Sequence, residues 1–129
     1  MQTNSKILMV DDEADFLAIM GKYFTRRKIS YETAGGCLEA LDWLAKDHFD
    51  VVILDVSMPG LGGIECMAEM KKIQPGLEVI MLTGHASLHA GLLGMKQGAF
   101  DYCLKPVDFD ELLEKITLAR EKAVAQSRA

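Results

Sequence analysis

The sequence predicts an α/β protein of doubly wound topology: a (βα)5 three-layer sandwich around one five-stranded parallel sheet. Two observations carry that prediction. Short apolar runs end near Val10, Ala34, Leu54, Leu82 and Leu104, and they recur roughly every 20 to 28 residues, about the length of a strand plus a returning helix. The segments between them carry apolar residues at three- and four-residue steps, the period of a helix buried along one face.

Each element follows in order. Ile7-Leu8-Met9-Val10, Val51-Val52-Ile53-Leu54 and Val79-Ile80-Met81-Leu82 are apolar without alternation, as in parallel strands covered on both faces. Phe16, Ile19, Met20 and Phe24 mark the first helix, and Leu38, Leu41, Leu44 and Ala45 the second. Ile64, Met67, Met70 and Ile73 mark the third, and Leu112, Leu113 and Ile116 the fifth. Gly35-Gly36 separates the second strand from its helix. Pro75-Gly76 stops the third helix, and Gly98 is placed to end the fourth as a left-handed cap. Asp108 and Glu111 have capping-box spacing ahead of Leu112. The fourth helix, Ser87 to Gln97, contains Gly91 and Gly94, each costing about 1 kcal/mol against Ala. Two readings stand side by side: close packing of this helix on the sheet, or a helix that shifts cheaply. After about Ala119 the sequence turns polar, as at the end of a last helix and a frayed tail. The expected organisation is an N-terminal extension over 1–5, one domain over 6–122, and a tail or the start of a linker over 123–129.

With 129 residues the chain holds one domain with a real core. Its net charge of −5 disfavours direct nucleic-acid binding. No apolar stretch approaches the roughly 20 residues needed to cross a bilayer, and the short amino-terminal run, cut off by Asp11-Asp12-Glu13, is not a signal peptide. Cys37, Cys66 and Cys103 are odd in number and form no CxxC. That argues against a disulfide framework or a zinc site and fits a reducing, cytoplasmic compartment.

The chemistry gathers at the run ends. Asp11 and Asp12 follow the first run, Asp55 the third, Thr83 the fourth and Lys105 the fifth. If the runs are parallel strands of one sheet, their carboxyl ends share one edge, where open α/β sheets hold ligands. Three carboxylates cannot all stay charged there without a compensating cation. An all-oxygen set favours a hard ion, Mg²⁺ in particular. A carboxylate facing both the ion and a phosphoryl group can attack the latter, with Lys105 and Thr83 as donors to its oxygens.

Five segments in register resemble the receiver domain of two-component response regulators, a flavodoxin-like fold. They are Lys6 to Glu13 (Lys-Ile-Leu-Met-Val-Asp-Asp-Glu), Asp55 to Gly63 (Asp-Val-Ser-Met-Pro-Gly-Leu-Gly-Gly), Thr83-Gly84, Gly98 to Tyr102 (Gly-Ala-Phe-Asp-Tyr) and Lys105-Pro106. Together they span about residue 5 to 120. The resemblance implies that Asp55 accepts a phosphoryl group from phosphohistidine. It implies Mg²⁺ on Asp12, on Asp11 largely through water, on Asp55 and on the backbone carbonyl of Ser57. Thr83 and Lys105 should bind the phosphoryl group, and Tyr102 should turn inward as Thr83 moves. The Lys105–Pro106 bond should be cis. Ser57 and His85 should line the route to the phosphoryl group, with Ser57 leaving water access open and His85 partly screening it. The implied partners are a histidine kinase or histidine phosphotransfer protein, and a downstream protein or an attached output domain. The surface of helix 4, strand 5 and helix 5 would be switched, a face compatible with a phosphorylation-dependent homodimer. The chain would then be no enzyme beyond its own phosphorylation and dephosphorylation.

Other features read more plainly. Ser57 is a rival acceptor only as a loop hydroxyl, and Met58 an apolar residue of the same loop. His85 and His89 have metal spacing but no carboxylate beside them, His48 reads as surface, and Cys103 as a small buried apolar residue. A haloacid-dehalogenase-like phosphohydrolase would need an Asp-x-Asp segment, and Ser57 stands in its second place. A flavodoxin-like cofactor binder would need a phosphate-cradling glycine loop after the first strand. A receiver serving only as an interaction module would not need the full acceptor set.

Overall fold

The computed structural model describes residues 6–57, 62–84 and 88–127. Five strands and five helices alternate: β1 (Lys6–Val10), α1 (Ala14–Arg26), β2 (Tyr31–Ala34), α2 (Cys37–Lys46), β3 (Phe49–Asp55), α3 (Gly63–Ile73), β4 (Glu78–Thr83), α4 (Leu88–Lys96), β5 (Asp101–Leu104) and α5 (Phe109–Ser127). All strand pairs are parallel, in the order β2-β1-β3-β4-β5. This is the doubly wound sandwich that the apolar runs predict.

The unbroken apolar runs supply two cores at once. Successive side chains of a strand point to opposite faces. Leu8, Val10, Val52, Leu54, Val79 and Met81 therefore face one way, against Ala40, Leu44, Met67 and Met70 of α2 and α3. Ile7, Met9, Val51, Ile53, Ile80 and Leu82 face the other, against Met20 and Phe24 of α1 and Leu112 and Ile116 of α5. All seven residues of β3 are buried, and each large apolar side chain so buried stabilises by about 1.5–3 kcal/mol.

The turns obey their residues. Gly98 has φ +109°, and the Gly98 and Ala99 amides close on Met95 and Gly94 carbonyls as α4 ends. Asp108 Oδ1 accepts from the Asp110 and Glu111 amides at 2.9 and 3.2 Å, capping α5. The α5 helix runs on to Ser127, well past the polar turn at Ala119. Ala119 and Ala123, one helical turn apart, are both buried, and Lys122 lies 3.7 Å from the buried carboxylate of Glu78. Gln74, just beyond α3, ties three segments together. Its amide donates to the Leu44 and Asp47 carbonyls, and its oxygen accepts from the Phe49 amide.

The two glycines of α4 sit against the sheet. A Cβ on Gly91 would lie 2.6 Å from Thr83 Cγ2, and one on Gly94 would meet Met81 Sδ. Close approach accounts for both residues. Of the helix as read from the sequence, Ser87 lies outside the described residues.

The cysteines require a correction. Cys37 and Cys66 form a disulfide with a Cα–Cα distance of 5.9 Å, contrary to the expectation of free thiols. The pair has no local spacing to betray it, because α2 and α3 become neighbours only by packing on the same sheet face. Cys103 is a free, buried thiol on β5, as expected, and burial pushes its pKa up.

Candidate functional site

The site lies where the strand order reverses. β1 pairs with β2 on one side and β3 on the other, so the helices that follow β1 and β3 leave toward opposite faces. A crevice opens at the carboxyl ends between them. Val10 pairs with Leu54, which sets Asp11 beside Asp55. β4 and β5 extend the same edge, and the Lys105 amide donates to the Thr83 carbonyl at 2.7 Å.

Asp11, Asp12 and Asp55 each present a carboxylate oxygen within 4.8 Å of the other two. Asp11 and Asp55 are buried, whereas Asp12 is exposed. The donor set is all oxygen and its charge is concentrated, which fits a hard divalent ion that keeps part of its water shell. Lys105 neutralises part of this cluster. Its Nζ donates to Asp11 Oδ2 at 2.8 Å and Glu13 Oε1 at 3.0 Å, and lies 3.5 Å from Asp55 Oδ2. It also sits 4.6 Å from the centre of the Phe16 ring, a cation–π contact.

Burial pushes the Asp11 carboxyl above its ordinary range, partly offset by the Lys105 and Glu13 hydrogen bonds. Burial works against the Lys105 ammonium, but the Asp11 and Glu13 hydrogen bonds and the Asp55 charge outweigh it. Its pKa is raised, and the group stays charged.

Asp55 is held by its own turn. The Ser57 amide and hydroxyl donate to Asp55 Oδ1 at 3.0 and 2.8 Å, leaving Oδ2 toward Lys105. The Ser57 side chain, expected to line the route to the phosphoryl group, also touches the candidate acceptor. Thr83 is fully buried, and its Oγ1 has no hydrogen-bond partner among the described residues. Tyr102 is half-buried on β5, with the Lys115 ammonium 5.7 Å from its ring centre. The Lys105–Pro106 bond is cis, as the resemblance implies.

The structure therefore brings together Asp11, Asp12, Asp55 and Lys105 at one edge, with Thr83 and Tyr102 on the neighbouring strands. His48 is exposed and pairs with Asp50 at 3.0 Å, away from this edge. Met58 and His85 lie outside the described residues. Glu13 was missed as a participant. The signal was available: an ammonium has three N–H donors, and a third acidic residue follows Asp11 and Asp12 directly.

The fold and this edge define the class, a receiver domain. The family model for the response regulator receiver domain matches residues 7–117, and the chain belongs to that family. It is the receiver domain of a two-component response regulator. Among its relatives is the transcriptional regulatory protein GlrR of Escherichia coli K12, 37% identical over 91% of this chain but only 26% of the relative. Sporulation initiation phosphotransferase F of Bacillus subtilis is 33% identical over 88% of this chain and 91% of its own length. A CheY-like receiver domain protein from Methanospirillum hungatei superimposes with a TM-score of 0.87 at 29% identity, covering 96% of this chain and 99% of that one. The chain thus spans about a quarter of the length of most of these curated relatives and nearly the whole of sporulation initiation phosphotransferase F. Among the described residues no helix is long and apolar enough to cross a membrane.

Proposed function

We propose that this receiver takes a phosphoryl group from phosphohistidine onto Asp55 and relays the event through Thr83 and Tyr102. The observation that carries the reading is the Thr83 hydroxyl. A buried donor without a partner costs about 1–3 kcal/mol, and among the described residues Thr83 Oγ1 is such a donor beside the strand end that bears Asp55. An anionic group arriving on Asp55 would satisfy it.

Asp11, Asp12, Asp55 and the Ser57 backbone carbonyl are the residues proposed to hold Mg²⁺. Bound there, the ion would supply positive charge against the crowded carboxylates and the phosphoryl oxygens. The protein's own groups do the rest. An Asp55 carboxylate oxygen attacks phosphorus in line, forming the O–P bond as the N–P bond to the donor imidazole breaks. The Ser57 amide and hydroxyl orient the Asp55 carboxylate by holding Oδ1. The Lys105 ammonium and Thr83 hydroxyl donate to the phosphoryl oxygens as charge builds on them.

Movement of Thr83 toward the new acceptor frees space that Tyr102 fills, which redraws the face of α4, β5 and α5. Leu92, Leu93 and Met95 of α4 and Leu104 of β5 are already exposed on these elements, and they supply apolar area for a partner. The equilibrium shifts only as far as phosphate prefers the active arrangement. A histidine kinase or phosphotransfer protein is the proposed donor. The output is a downstream protein or an attached domain, a reading supported by relatives named as transcriptional regulators about three and a half times this length. A cytoplasmic location, a phosphorylation-dependent homodimer through the same face, and no turnover of external substrates belong to the same proposal.

The test is incubation with acetyl phosphate and Mg²⁺, followed by intact mass. The wild type should gain one phosphoryl group and Asp55→Asn none. An unchanged wild-type mass, or multiple turnover of a small phosphate ester, would count against the reading.

A further inference from the structure

Glu13 stands at the amino-terminal boundary of α1, a place where a side chain usually caps the helix. It makes no side-chain cap. Its backbone is fixed instead, the amide by Asp11 Oδ1 at 2.9 Å and the carbonyl by the Leu17 amide at 3.1 Å. The carboxylate is thereby free to turn to Lys105, 92 positions away.

Lys105 has three N–H donors. Two are committed at hydrogen-bond distance, to Asp11 and Glu13, while Asp55 waits at 3.5 Å. The two committed partners are unequal. Asp11 is fully buried, so stripping the ammonium from it leaves an uncompensated buried charge. The Glu13 side chain is 65% exposed, and water takes over its charge at little cost. When Lys105 must reach a phosphoryl oxygen on Asp55, Glu13 is the partner that can let go.

We propose, on the basis of the phosphoryl-acceptor reading, that Glu13 is a positioning residue. It parks one N–H of Lys105 in the resting receiver and competes with the phosphoryl group for it. The carboxylate therefore slows phosphoryl capture, by an amount set by one exposed ion pair.

The experiment measures acetyl phosphate labelling by intact mass at saturating Mg²⁺, in the wild type, Glu13→Gln, Glu13→Asp and each change combined with Lys105→Met. Glu13→Gln should label about two- to five-fold faster, the rate equivalent of an exposed pair. Glu13→Asp keeps the charge but shortens the reach, and it should label as fast as Glu13→Gln. In the Lys105→Met background neither change should alter the rate. Wild-type behaviour of Glu13→Asp, or an equal acceleration without Lys105, would mean that Glu13 only repels the anionic donor, and either result overturns the proposal.

A second measurement needs no phosphate. Melting in EDTA of the wild type, Glu13→Gln, Lys105→Met and the double variant should show midpoints non-additive by about 3 °C. Additive shifts overturn the Glu13–Lys105 coupling. If the wild type gains no mass while the melting cycle is non-additive, the phosphoryl reading fails and the coupling stands.

Discussion

Reducing the Cys37–Cys66 bond should lower the unfolding free energy by about 3.6 kcal/mol at 25 °C. The magnitude follows from the loop alone. The bond joins residues 29 apart, and closing a loop of that length withholds about 12 cal/mol/K of entropy from the unfolded chain. A chain of 129 residues melts with an entropy near 270 cal/mol/K, so the midpoint should fall by about 13 °C. Comparing oxidised and reduced wild type keeps every side chain in place and avoids the cavity that a substitution would add. Both cysteines are buried, so reduction calls for unfolding in denaturant and refolding with a phosphine present. Urea melts of the two forms should differ in midpoint, with a steeper slope after reduction because the unlinked chain expands further. Thiol labelling under denaturing conditions should count one free cysteine, Cys103, before reduction and three after. Coincident melts, or three thiols in the protein as isolated under non-reducing conditions, would refute the reasoning.

Three more outcomes follow from the site. Lys105→Met removes the cation from buried Asp11. It should cost about 2 kcal/mol, less than a fully buried pair because Lys105 is partly exposed and Asp11 keeps the Glu13 amide. Mg²⁺ should recover more stability in this variant than in the wild type, since a competing cation is gone, and a smaller recovery by thermal shift contradicts the account. Gly91→Ala drives a Cβ against Thr83, which is stiff and β-branched, and should cost about 1–3 kcal/mol. Gly94→Ala meets the unbranched side chain of Met81, which is buried but can rotate where Thr83 cannot, and should cost less than Gly91→Ala; equal costs in urea melts would refute the distinction. Asp11 has a folded pKa raised by burial above its ordinary 3.8. The folded chain therefore holds this proton more tightly than the unfolded chain. Asp11 destabilises fully above its folded pKa, and that penalty disappears as pH falls toward 3.8. Mg²⁺ needs the carboxylate, so the Mg²⁺-induced thermal shift should weaken on acidification within the same window. Asp11→Asn should remove that pH dependence, and a wild-type shift that is flat down to the ordinary carboxylate range would sink it.

Most of the site could be read in order along the chain. Asp11, Asp12, Asp55, Thr83 and Lys105 each follow an apolar run, and a parallel sheet makes run ends neighbours. What such reading passed over was fine contact. Ser57 reads from the sequence as a backbone ligand whose small side chain leaves water access open, and its hydroxyl lies 2.8 Å from Asp55 Oδ1. That geometry depends on the turn after β3, which residue types alone leave open. The role of Glu13 is harder to read along the chain, because its partner lies 92 positions away.

By itself the sequence determined the strand ends, the alternation of strand and helix, the all-oxygen acid cluster and the caps at Gly98 and Asp108. These are local matters, set by side-chain period, backbone freedom and charge within a few residues. Only the tertiary structure decided that Cys37 meets Cys66, that Gly91 and Gly94 are glycine because the sheet leaves no room for a Cβ, and that Lys105 divides its donors among Asp11, Glu13 and Asp55. Such contacts depend on ångström-scale packing between segments remote in the chain, and pattern along one segment carries no measure of that distance.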